Sequence, residues 1–143
     1  FSENAPITGW AGLHFENTTA PSFLGHAVIR NGSFGSGRNV VVQNSTIEIR
    51  NTVVERSLKA GLDLVSATST IENSIFRQAN QDPGVGLRIS GGSTTLTSNQ
   101  FLNNIFGVIA TNQTLTHTGN IFSGNVINSQ PADLFAIATS SEE

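Results

Sequence analysis

Asp63 and Arg88 hold the same place in two stretches that read alike, Gly61-Leu62-Asp63-Leu64 and Gly86-Leu87-Arg88-Ile89. If both are strands, the glycine marks a corner, the apolar residues face one side and the charged residues share the other. An acid and a base on one surface column can hold a substrate carboxylate or a sugar hydroxyl. His14, in Gly12-Leu13-His14-Phe15, belongs to the same column, with Val42 and Ile109 as its uncharged members. The competing account, a surface cross-strand ion pair worth about 0–1 kcal/mol, ranks first. Glycoside hydrolysis needs two carboxylates about 5–10 Å apart, and Asp63 has no second acid beside it. Glu48 and Glu72 fall in different columns, so no catalytic residue is assigned.

A second surface suits a different task. Counting by twos gives Thr68, Thr70 and Glu72, then Ser93, Thr95 and Thr97, then Thr114, Thr116 and Thr118. Such a flat Thr-x-Thr array resembles the face of ice-binding solenoids. Threonine is also an ordinary exposed strand residue, and the earlier coils are expected to put Thr46, Glu48 and Arg50, then His26, Val28 and Arg30, in its place. His14, His26 and His117 lack close ligand spacing and the chain has no cysteine, so no metal or other cofactor is expected. Asn17, Asn31, Asn44 and Asn112 start matches to the glycosylation acceptor pattern, which a chain with 15 Asn and abundant Ser and Thr produces by chance.

The elements that position these residues follow from a repeat. Closing apolar residues Phe34, Val54, Phe76, Phe101 and Phe122 recur at spacings of 20, 22, 25 and 21. Opening residues Leu13, Val41, Leu62, Leu87 and Val108 form a second column, preceded by glycine in four of five cases. Ile29, Ile49, Ile71 and Leu96 form a third. Two positions after these stand Asn31, Asn51, Asn73 and Ser98, a turn column whose amides are expected to stack. The segment from Gln78 to Gly84 is an insertion that explains the longest spacing. Just before the closing column, Ser33, Val53, Ile75, Gln100 and Ile121 point outward as an interrupted apolar stripe. No segment has helical periodicity.

Periods of this length mean a solenoid. The leucine-rich kind fails, because Leu62-Asp-Leu64 is followed by Val-Ser-Ala and no helical face. Gly-Leu-x-apolar, then Ile-x-Asn-x-x-Phe, then a second turn at Asn104 or Asn125, over about residues 7 to 128, resembles the right-handed parallel β-helix family often called pectin-lyase-like. The stretch from Pro6 to Phe15 resembles the middle of longer bacterial exported members. The resemblance implies an all-β, right-handed parallel β-helix of five to six coils and three sheets, with residues 1–143 as a single domain. Family members acting on acidic polysaccharides use clustered carboxylates or a basic residue beside calcium; here there is one Asp in the column and no Tyr.

With 12% charged residues and a net charge of −3, a basic nucleic-acid surface is excluded. No apolar run is long enough for membrane insertion, and no export signal is expected within these residues. A chain without methionine is expected to be processed or cut from a longer one. The function expected is therefore a non-catalytic β-helix segment of an exported or cell-surface protein, extracellular in location. Its partners would be a polysaccharide or glycan, and further coils of a parent chain or a second copy. The alternatives are a fragment of a polysaccharide lyase or glycoside hydrolase, and an ice-binding solenoid using Thr68, Thr70, Thr95, Thr97, Thr114 and Thr116.

Overall fold

In Thr68-Ser69-Thr70-Ile71-Glu72 the β-branched residues are stiff at χ1 and suit an extended backbone, and every second side chain is buried. The same pattern recurs at each level of the chain. The computed structural model describes residues 10–32, 35–81, 83–125 and the backbone of 134–135. Two coils are built from β1 (Leu13–Glu16), β2 (Ser22–Gly25) and β3 (Val28–Arg30), then β4 (Arg38–Gln43), β5 (Thr46–Arg50) and β6 (Val53–Glu55). Two more are built from β7 (Ala60–Glu72) with β8 (Ile75–Arg77), and β9 (Val85–Thr97) with β10 (Gln100–Leu102). β11 (Phe106–Thr111), β12 (Thr114–Thr118) and β13 (Ile121–Ser123) form the next level, and β14 (Leu134–Phe135) pairs with β11. Every strand pairing is parallel. The fold is a parallel β-solenoid, with about four turns between β1 and β11.

Each coil has three faces, but they form two hydrogen-bonded sheets of nine and five strands rather than three. β7 and β9 run through the first corner without a break in pairing. At that corner Ser66 and Gly91 take positive φ, and Gly92 lies so close to Ala67 that an added Cβ would come within 2.0 Å of its carbonyl oxygen. The first and second faces are therefore one bent sheet, and the third face is the five-stranded sheet.

The corners follow one rule. Asn17, Asn44, Ser66, Gly91 and Asn112 occupy the first corner, all with φ between 48° and 77°. His26, Asn51, Asn73, Ser98 and Gly119 occupy the second; Asn31, Arg56, Gln78, Asn103 and Gly124 occupy the third. These columns contain every described non-glycine residue of positive φ. The expected turn asparagines are thus left-handed, but Asn31 belongs to the third corner and His26 takes its place in the second. The residue after each corner turns inward, and there the amides stack. Asn99 Nδ2 donates to Ile71 O at 2.8 Å while its Oδ1 accepts from Ser74 N at 3.0 Å. Asn120 Oδ1 repeats this for Asn99 N, and Asn104 and Asn125 do so at the third corner. Each side-chain oxygen closes a backbone N–H of the level below that the bent ladder leaves open, and each side-chain nitrogen adds a second bond to a carbonyl of that level.

Pairing corrects three core assignments. The opening column is Leu13, Val40, Leu62, Leu87 and Val108, because Val40 and not Val41 pairs with both Leu13 and Leu62. Asn39 then falls in the corner glycine column. It is fully buried, accepting from Gly32 N at 2.6 Å and donating to Glu55 O at 2.7 Å. Ile29 stands below Val54, Phe76, Phe101 and Phe122 on the third face, and Leu24 occupies the level assigned to Ile29 on the second. Phe34 and Ser33 lie outside the described residues, and Val28 takes the outward position assigned to Ser33.

Phe76, Phe101 and Phe122 stack with ring centroids 5.2 and 5.0 Å apart. Phe101→Ala is expected to cost about 3–5 kcal/mol in chemical denaturation, since rings above and below cannot collapse into the gap. Asn99→Ala, which leaves Ser74 N unpaired and removes a second donor from Ile71 O, should cost about 1–3 kcal/mol; a cost below ~0.5 kcal/mol would show that the amide column is not structural.

Candidate functional site

Register places Asp63 beside Arg88 on the first face, as the repeat predicts. The contact is bidentate: Arg88 Nη2 donates to Asp63 Oδ2 at 2.7 Å and Nε to Oδ1 at 3.1 Å. A third group joins from the coil below, where Arg38 Nε lies 3.1 Å from Oδ2. The surface-pair expectation is corrected by burial. Asp63 is 1% exposed because two guanidinium stems cover it. Hydrogen bonding to Asp63 raises the Arg88 pKa above its ordinary value, with burial opposing. The stability this contact adds is therefore fully present below the ordinary arginine pKa and is lost only as pH rises through the raised value in strong alkali. His14 does not join this cluster. Val41, rather than Val42, stands between it and Asp63, so two strand spacings of about 4.8 Å separate them. Its ring nitrogens lie 3.2 Å from Ala11 O and 3.5 Å from Glu16 Oε1.

The third face repeats the device, which sequence reasoning missed. Glu55 is 4% exposed and accepts from Arg77 Nε and Nη2 at 2.7 Å, with Arg30 Nη1 at 3.6 Å on its other side. Arg30, Glu55 and Arg77 lie in one column of paired residues. Placing Ile29 on the second face hid that column. On the second face Arg50 contacts Glu48 and lies 3.0 Å from Glu72.

The threonine rows have the expected register. Thr68, Ser93 and Thr114 form one column, Thr70, Thr95 and Thr116 the next, and Thr97 and Thr118 extend the third above Glu72. The lowest level is corrected: Phe23 and Gly25, not His26, Val28 and Arg30, lie under Glu48 and Arg50. Phe23 is 60% exposed, and its ring lies where a Gly25 side chain would be. The outward stripe of the third face is Val28, Val53, Ile75, Gln100 and Ile121. Three acceptor-pattern asparagines, Asn17, Asn44 and Asn112, occupy the first corner column. There Ser45 and Gln113 turn inward and Thr46 and Thr114 begin the second face, so the pattern is a product of the fold.

Beside the third corner lies an open depression of ≈ 370 Å³ lined by Arg56, Ser57, Leu58, Gln78, Asn80 and Asn103. It forms where residues 78–81, which follow β8, stand next to the connections 56–59 and 103–105. No cluster of three or more His, Asp or Glu suited to a metal occurs among the described residues, and none of their helices is long and apolar enough to cross a membrane. Comparisons with protein-family models, curated proteins and solved structures returned no match.

Asp63→Asn removes the charge that separates two arginines. The expected cost is about 2–4 kcal/mol by denaturant unfolding, well above that of an exposed pair; a loss under ~1 kcal/mol would show that Arg38 and Arg88 do not need it.

Proposed function

We propose that the chain is a non-catalytic β-helix segment of an exported or cell-surface protein, a scaffold that contacts carbohydrate. The occupancy of its carboxylates carries the proposal. Asp63 and Glu55 are each held by two arginines, and Glu48 and Glu72 share Arg50. A general acid or base must lie within hydrogen-bond reach of the group it serves, and the Asp63 and Glu55 oxygens are already taken by guanidinium groups and buried beneath them. What the outer faces offer is hydroxyls and amides fixed in register, a complement to a hydroxyl-rich ligand. Val28 and Ile121, 57% and 55% exposed at the two ends of the third-face stripe, provide the surface for association with a second copy or with further coils of a parent chain.

A glycan-array screen run alongside an assay for released uronates and reducing ends on pectin and alginate tests this reading. Binding without release is expected. Release would establish the alternative, a fragment of a polysaccharide lyase or hydrolase. The in-register threonines favour a second reading, ice binding through Thr68, Thr70, Thr95, Thr97, Thr114 and Thr116. Against it, Phe23 and the Glu48–Arg50–Glu72 cluster interrupt the same face. No thermal hysteresis is expected; hysteresis that disappears in a Thr95→Tyr, Thr116→Tyr variant with unchanged circular dichroism would replace the carbohydrate reading.

A further inference from the structure

We infer that the third-corner depression binds an anionic saccharide unit, with Arg56 meeting its acid group and Gln78, Asn80 and Asn103 its hydroxyls. The inference rests on the carbohydrate reading and says where the contact is made. Charge gives the first argument. Among the described residues Arg30, Arg38, Arg50, Arg77 and Arg88 each pair with a carboxylate. Arg56 is exposed, and among the described residues its guanidinium reaches only the Gln78 side-chain oxygen, at 3.4 Å. The guanidinium fork matches the oxygen pair of a planar carboxylate, or two oxygens of a tetrahedral oxyanion such as a sulfate ester, and here it remains available to one.

Backbone gives the second. Arg56 and Gln78 have φ of 54° and 61°, and they are the only long unbranched side chains in corner columns otherwise filled by Asn, Ser, His and Gly. Long side chains are held in a conformation that asparagine or glycine would adopt more cheaply, at adjacent levels and over a concavity. The floor and wall give the third. Ser57 lines the depression and has a buried hydroxyl with no hydrogen-bond partner. The connection carrying Asn80 is tied to both neighbouring levels, by Gln81 N to Leu58 O at 3.1 Å and Ile105 N to Ala79 O at 3.1 Å. A ligand therefore meets a wall already in place, which lowers the ordering cost of binding. The volume of ≈ 370 Å³ lies near the lower end of small-molecule sites, about 300–1,000 Å³, enough for a short saccharide.

Calorimetric titration of the whole chain with oligouronates, sulfated oligosaccharides and neutral oligosaccharides tests this. One anionic series should bind and weaken with added salt, and the better series identifies the acid group. Arg56→Gln should weaken it roughly tenfold to hundredfold, the loss expected of a charge-assisted hydrogen bond. Asn80→Ala, on the connection rather than in the ladder, should also weaken it, both variants keeping the parent melting temperature within a few degrees. Saccharide binding that ignores both substitutions, or neutral and anionic ligands binding equally, would overturn the site while leaving carbohydrate contact standing. No binding by any saccharide would overturn both.

Discussion

Every coil of this solenoid must turn, and at each corner one residue takes the left-handed backbone while the next points inward. That constraint governs composition, register and the placement of charge. For an ordinary L-residue the left-handed region costs about 1–2 kcal/mol, so the corner columns are dominated by Asn and Gly, with Ser, His, Arg and Gln as the exceptions. The inward residue lies where the backbone ladder bends and leaves N–H groups open. Asn99, Asn104, Asn120 and Asn125 close them across levels. An amide that accepts from one level and donates to it again admits one register only. A slip by one residue would bury the threonines and expose Ile71 and Leu96.

Once register is fixed, the columns of charge are fixed with it. Asp63 and Glu55 each sit between arginines on neighbouring levels, and both flank the third corner. Such clusters are weak sources of net stability, because desolvation offsets attraction, yet removing one member is costly. Their effect here is to join adjacent levels along an outer face where the hydrophobic columns do not reach. They also occupy the oxygens of Asp63 and Glu55 and leave Arg56 as the guanidinium without an acid partner among the described residues. The same arrangement that stiffens the scaffold thus sets which charge stays exposed at the third corner.

The sequence made the stacked strands and the Phe76, Phe101 and Phe122 column legible, because bulky apolar residues at near-constant spacing have no other economical explanation. It did not place Val40, since Val40-Val41-Val42 offers no alternation and Asn39 replaces the corner glycine. Ile29 misled because Phe34 fits by spacing the closing position that Ile29 itself holds opposite Val54, so counting back from Phe34 reached the wrong face. Asp63 and Arg88 were found by their common position after Gly-Leu. The burial of Asp63 was not legible, because Arg38 enters from an earlier point on its strand and alternation alone called the position exposed. The Glu55 cluster lay in strands of three residues, too short to show a period.

From the second coil upward the corners between first and second faces, and between second and third, are tight; β7 and β9 do not interrupt their strands at the first of them. The third corner differs. Its connections occupy residues 56–59, 78–84 and 103–105, and unequal neighbours are what create concavity on an otherwise convex surface. Connections tolerate variation while the columns beneath them do not, because a change in loop length leaves the inward amides and apolar stacks untouched. Ala79 N still bonds to Asn104 Oδ1 at 3.0 Å at the start of the longest of the three. A solenoid built this way can vary the outward residues of the third corner without altering its core, whereas the flat faces are tied to the register of the columns beneath them.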